Sequence, residues 1–355
     1  MLLPPLALAI FSSHLSAQES LTEQVLVTAT RVETNAGSMP LAWSVVDEEA
    51  LNLVGHVHIN EIMQQVPGAW ITRGNGQESL TSLRSPTLTG AGSCGAFFVA
   101  SDGISLRAPG FCNVNQLFEA NAEQAGRIEV IKGPATALYG SNAMHGVINI
   151  LSVPATDEVD HNIAVEGGPY DFYRAKYRYS NTVGAHGISL RANGTSDDGY
   201  KDDSGYDQQK MTLRHEYNAD DLKVRSVLNL SNLNQETAGF IKDYQAYKDE
   251  DVKDSNPNPE AYRDAKSLML YSRIDFTLND SNELSITPYL RDNEMEFLQH
   301  FLPWKSVEEN GHTSLGLRTT LYTTGESVQW AEEKGIPVVH YSIRVGINPP
   351  AATDI

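Results

Sequence analysis

The chain of 355 residues has two cysteines, four tryptophans and only 26 lysines and arginines against 45 aspartates and glutamates. A net charge of −19 repels nucleic-acid backbones, so DNA and RNA are excluded as partners. Past the N-terminus there is no apolar run of about 18 residues, so no membrane-spanning helix is expected. A closed β-barrel stays open, because only helices and closed barrels satisfy the backbone in lipid. No metalloprotease helix, phosphate loop or nucleophile elbow is present, and nothing points to an enzyme. Gly90, Gly92 and Gly95 match dinucleotide-fingerprint spacing. They lack the strand before and the helix after that such a site needs, and read as a loop.

What is present begins with an apolar leader. Leu6–Phe11 followed by small and polar residues up to Ala17 resembles a secretory signal, although no Lys or Arg precedes it and Leu15 is large for its position. Both cysteines, Cys94 and Cys112, sit in one glycine-rich region. In an exported chain a disulfide is the default reading, contributing about 3 kcal/mol by loop entropy, with two buried thiols as the alternative.

Residues 127–152 read RIEVIKGPATALYGSNAMHGVINILS. Ile128, Val130 and Lys132 alternate with Arg127, Glu129 and Ile131. Gly133-Pro134 breaks the strand, Ala135–Tyr139 is a short helical run stopped by Gly140, and Gly146 opens a second apolar strand. Upstream, Asp47 is placed to cap one helix and Asn60 a second over 61–65, followed by Val66-Pro67-Gly68 and a strand from Ala69. Further upstream, Glu23, Gln24, Val25, Leu26, Val27, Thr28 and Ala29 form a β-prone patch in a polar tail, able to add a strand to a partner's sheet.

After Val153 the pattern becomes period-two alternation: Tyr173, Ala175 and Tyr177 against Arg174, Lys176 and Arg178; Ile188 and Leu190 against Ser189 and Arg191; Leu268 and Leu270 further on. Short turns at 218–221 and 279–282 alternate with long polar connections, as in outer-membrane barrels. About eight strands are counted, fewer than the roughly 22 of a barrel wide enough to enclose a folded domain. Residues 325–355 lose the alternation, which points to a longer chain that is truncated or frame-shifted here.

The segment 127–152, the helix–Pro-Gly–strand series and the tail patch together resemble TonB-dependent outer-membrane receptors, over about 22–153. The resemblance implies an α+β plug domain followed by antiparallel transmembrane β-barrel strands. The expected layout is a signal peptide (1–17), a periplasmic tail with the TonB box Glu23–Ala29 (18–39), a plug (40–155), part of the barrel (156–324) and an atypical tail (325–355). It further implies a Gram-negative outer-membrane location, TonB, outer-membrane lipid and a small ligand such as a metal chelate as partners, and active uptake, by base rate of an iron-siderophore. The plug motif is then Arg127, Glu129, Lys132, Gly133, Pro134, Tyr139, Gly140 and Gly146. Arg84, Arg127 and Lys132 become candidate latches onto carboxylates of the barrel wall. Ser85 stands where the family often has glycine, and Lys132 where arginine is commoner. A plug loop over 87–115 would form the ligand-facing apex. No cofactor is implied. The acidic run containing Asp197, Asp198, Asp202 and Asp203 is a calcium candidate beside its plainer reading as a solvated loop. A soluble secreted β-rich binding protein, and an outer-membrane receptor without net transport, are the competing readings.

Overall fold

The computed structural model describes residues 26–27, 34–35, 42–74, 76–87, 97–107, 116–140, 142–323 and 342–347, with 26–27, 34–35 and 342–347 as backbone only. Both cysteines, the glycines of the GAGSCG loop and all of the TonB box except Leu26 and Val27 lie outside them. Leu26–Val27 (β1) is extended and pairs antiparallel with Thr34–Asn35 (β2).

The plug follows: β3 (Trp43–Asp47), α1 (Glu48–Val54), α2 (Ile59–Met63), β4 (Ala69–Arg73), β5 (Ser79–Leu83), β6 (Phe97–Ser101), β7 (Ile104–Ser105), β8 (Arg127–Lys132), α3 (Thr136–Tyr139) and β9 (Gly146–Leu151). Between β7 and β8 lie two 3₁₀ turns, Gln116–Glu119 and Ala122–Gln124. β3, β8, β9, β6 and β7 form one mixed sheet in that order, and β4–β5 is a separate hairpin. Residues 97–101 and 104–105 of the expected apex are therefore strands of the plug sheet, joined by a turn at Asp102-Gly103.

Asp47 caps α1 as expected, accepting from the Ala50 N–H at 2.8 Å. The cap of α2 is His58, not Asn60. The His58 ring nitrogen Nδ1 accepts from the Asn60 N–H at 3.1 Å, and the helix starts earlier, at Ile59. Imidazole supplied the acceptor that the shorter amide was expected to supply.

Strands β8 and β9 are neighbours and run antiparallel, from Arg127↔Leu151 to Lys132↔Gly146. The α3 segment is thus an elaborated hairpin connection, pinned where Gly133 N donates to His145 O and Ala135 N to Ala143 O. All of β9 and nearly all of β8 is buried, because the sheet packs on both faces. Ile128, Val130, Ile148 and Ile150 join the main core with Leu51, Ile62 and Leu83. Ile131 and Val147 join a second cluster with Phe98, Ala135 and Tyr139. The alternation in β8 therefore separates two cores rather than core from solvent.

The wall is one antiparallel sheet of nine strands in sequence order. They are β10 (Asp160–Gly167), β11 (Tyr173–Val183), β12 (His186–Asp197), β13 (Tyr206–Asn218), β14 (Leu222–Glu236), β15 (Tyr262–Asn279), β16 (Asn282–Leu298), β17 (Val307–Thr323) and β18 (Ser342–Ile347). β18 pairs with β17, so the sheet reaches into the tail that the loss of alternation had set apart. Short turns at 184–185, 219–221 and 280–281 alternate with connections at 198–205, 237–261 and 299–306, the expected parity.

Burial in this sheet is inside out. Ile163 is 75% exposed, Leu315 58% and Leu270 43%, while Arg174 is 1% exposed and Ser189, Arg191, Lys210 and Arg214 are buried. Apolar side chains pointing outward and charged ones buried is the arrangement of a wall whose outer solvent is lipid. The buried face packs on the plug, where Val227, Met269 and Tyr271 enter the plug's main core.

Candidate functional site at the plug and wall interface

The expected latches stay inside the plug. Arg127 Nε donates to its strand neighbour Glu129 at 2.8 Å. Lys132 Nζ donates to Ser44 Oγ at 2.7 Å and to Pro67 O at 3.0 Å. Burial, reinforced by the nearby Arg84 charge, lowers the Lys132 pKa. Arg84 is exposed, sits at φ 51° and lays its side chain along Gly68. No ion pair joins any of these three to the wall among the described residues. The rest of the motif shapes the hairpin connection. Tyr139 is buried against Phe98 with ring centroids 5.2 Å apart, and burial pushes its hydroxyl pKa up. Gly140 ends α3 at φ 89°. Gly133 (φ 120°) and the exposed Pro134 turn the chain out of β8. Gly146 has φ 157°, and a Cβ there would stand 2.3 Å from Ile131 O.

The charged contacts that do cross the interface have the opposite polarity, with cations on the wall and acceptors on the plug. Arg174 of β11 is the most buried. It donates from Nη1 to His56 O at 2.6 Å and from Nη2 to Gly55 O at 2.9 Å, while Nε donates to Glu166 of β10 at 2.6 Å. The α1 cap presents those carbonyls. Gly55 turns left-handed at φ 54° after donating to Leu51 O, which leaves its own carbonyl facing the wall.

Beside this clasp, Lys210 of β13 donates to both Glu123 oxygens at 2.8 and 3.1 Å, with both side chains buried. Burial is the largest influence and opposes the Glu123 charge, but the Lys210 ammonium, its hydrogen bond and the other nearby donors together overcome it and hold the carboxyl at about 2. His56 lies in the same pocket, buried, with neither ring nitrogen hydrogen-bonded. Burial, with Arg174 and Lys210 adding to it against Glu123, lowers its pKa to about 4, so the ring is neutral at pH 7.

Further round the wall, Arg263 of β15 pairs with Glu78 at 2.9 Å and stacks over Phe297, 4.5 Å from the ring centre. Gln235 accepts from Gln77 N at 2.7 Å, and this approach needs Gly76, where a Cβ would stand 2.2 Å from the Gln235 oxygen. Arg214 donates to Ser152 O at 2.7 Å, Arg291 to Ser105 O, and Arg318 to Gly103 O at 3.3 Å. Asn293 donates to Glu119 at 2.7 Å and Gln124 to Ala192 O at 2.7 Å. The plug is thus held by many separate polar contacts, each between groups distant in sequence. The alternation in the sequence marked which wall residues share a face, but nothing local named their partners.

At the long-connection end, Asp197, Asp198, Asp202 and Asp203 border a cleft of about 700 Å³, with Tyr200, Tyr206 and Glu236. Asp197 accepts from Gly199 N at 2.8 Å. Among the described residues no three His, Cys, Asp or Glu side chains converge to hold a metal ion.

Residues 35–147 match the family model described as the TonB-dependent Receptor Plug Domain. The chain is plug and partial barrel of a TonB-dependent receptor. The plug match lies where the latches above hold a domain inside an amphipathic wall. Vitamin B12 transporter BtuB of Vibrio vulnificus is 29% identical over 218 residues, 58% of this chain and 34% of that protein. Among solved structures, the unliganded ferric citrate transporter FecA has a TM-score of 0.71 at 15% identity, over 81% of this chain and 45% of that one. The ferric yersiniabactin uptake receptor FyuA of Yersinia pestis has a TM-score of 0.64 at 16% identity, over 81% and 46%. These two likenesses concern the fold. The chain spans about a third of the curated relative and under half of these structures. Receptors with this plug are proteins of the Gram-negative outer membrane.

Proposed function

We propose that this TonB-dependent receptor takes up a scarce metal chelate, an iron-siderophore, across the outer membrane. The observation that carries the reading is the plug seated on an inside-out wall by many separable latches, a stopper that is firm as a whole but divisible contact by contact. Chelate binds from the side of the long connections, and TonB captures the segment Glu23–Ala29 by strand addition. At Leu26–Val27 the backbone is already extended and paired with Thr34–Asn35, so capture exchanges one strand partner for another. The outer membrane has neither ATP nor an ion gradient of its own, and the work comes from the inner membrane through TonB. A corrinoid is the second reading, favoured by the relative named as a vitamin B12 transporter.

Proline at Val25 or Val27 removes a ladder donor. Energised uptake of labelled chelate should be abolished in either variant, with binding to intact cells unchanged. Uptake that survives both substitutions would exclude the TonB-box role. Non-reducing electrophoresis of exported protein tests the Cys94–Cys112 bond, which predicts no thiol-reactive cysteine.

A further inference from the structure

The cations of the wall are sorted by face, whereas its carboxylates lie on both, Glu166, Glu216 and Asp275 being paired with inward arginines. Among the described lysines and arginines of β10–β17, Lys266 alone has the outward parity, and every other one shares the plug-facing parity of Arg174 and Lys210. Asp207, Asp264, Glu294 and Glu296 have the outward one. Six inward cations have no wall carboxylate in an ion pair among the described residues: Lys223 at the short-turn end of β14, Arg318 of β17, which donates to Gly103 O, and the four on β12–β16 that face the plug more deeply, Arg191, Lys210, Arg263 and Arg291. Arg191, Lys210 and Arg263 face Glu48, Glu123 and Glu78 of the plug at 3.9, 2.8 and 2.9 Å. Arg291 is held by Ser105 O of the plug and by Ser314 Oγ at 3.0 and 3.2 Å. These four are staggered down the wall, with Arg263 beside the 237–261 connection and the others deeper.

We propose that these four cations, once the plug yields, line the passage and select an anionic chelate as cargo. The inference rests on the uptake reading above and deepens it by naming the charge class. Any movement that opens a path along β12–β16 withdraws the plug carboxylates and carbonyls that now satisfy these groups. Stranding buried cations is strongly unfavourable unless something replaces their partners. Water does so in part. An anionic cargo does so while being drawn inward, because Glu166, Glu216 and Asp275 are neutralised within the wall and the charges left without a wall partner are cationic, which concentrates the opposite sign. The groups that hold the stopper in the closed state thus guide the cargo in the open one. A neutral or cationic chelate has no such compensation to offer.

The test uses a Gram-negative host deleted for its own chelate receptors and carrying this one. Energised uptake is measured for an anionic ferric tris-catecholate, a neutral ferric tris-hydroxamate and cyanocobalamin. The informative variant is Arg191→Gln with Arg263→Gln, because their plug partners Glu48 and Glu78 are 40% and 21% exposed and are not left as buried unpaired anions. Arg191→Lys with Arg263→Lys is the charge-preserving control and also reports on folding. We expect the wild type to favour the anionic chelate and the glutamine pair to lose about tenfold of that uptake, with surface binding unchanged and the lysine pair near wild type. Uptake confined to a neutral chelate, or anionic uptake unaltered in the glutamine pair, would overturn this inference alone. No energised uptake of any of the three would overturn the transport reading and this one with it.

Discussion

Lys210 and Glu123 form a buried ion pair across the interface. Such a pair is poor evidence of net stabilisation, but removing one partner leaves a charge stranded. Lys210→Met should therefore cost about 3–5 kcal/mol. Lys210→Met with Glu123→Gln should recover most of it, read from urea unfolding of the protein in detergent. His56 sets the acid limit of the same pocket. Its pKa falls from 6.5 unfolded to about 4 folded, so the unfolded state binds more protons between those values and stability declines as pH drops through that window. Glu123, held at about 2, adds a further loss as pH falls below about 4.5. Thermal melting should fall from pH 6.5 to 4 in the wild type, with a shallower slope in His56→Leu. An equal slope in both would remove His56 as the cause.

The β8–α3–β9 hairpin depends on a backbone geometry that a side chain cannot enter. Gly146→Ala forces a Cβ against Ile131 O inside the central pair of the plug sheet, at a φ that L-residues avoid. It should destabilise the plug by about 2 kcal/mol or more. Gly133→Ala, with nothing within 4 Å of its Cβ, should cost less, as only its φ of 120° is strained. Limited proteolysis of the two variants would rank them. This motif was legible from sequence because its turn, helix stop and strands are all local. The antiparallel pairing of β8 with β9 was not, since a strand–helix–strand string also fits a parallel crossover. The α2 cap differs from the expected one for a related reason, as asparagine is the commoner cap but His58 also reaches Glu78 O, just before β5 and distant in sequence.

For the whole molecule, the outward leucines make lipid or detergent a condition of solubility. Leu270→Arg places a charge on the lipid-facing side of β15 and should cost about 2–4 kcal/mol if it lies near the bilayer midplane. Its partner change on the inner face, Arg291→Leu, should instead loosen the plug. Folding into lipid vesicles, followed by heat-modified electrophoretic mobility, separates the two effects. The same two-faced wall also decides against the soluble secreted reading.

The sequence by itself determined the plug motif, the strand alternation and the parity of short and long connections, because each is set by neighbours within a turn or a strand. Only the tertiary structure decided which way the latches run. Arg84, Arg127 and Lys132 stay within the plug, and the wall cations Arg174, Lys210 and Arg263 reach across to Gly55, Glu123 and Glu78. Period-two patterning tells which side chains share a face. It carries no information on the height or partner at which that face meets a separately folded domain, and that is settled by packing two surfaces against each other.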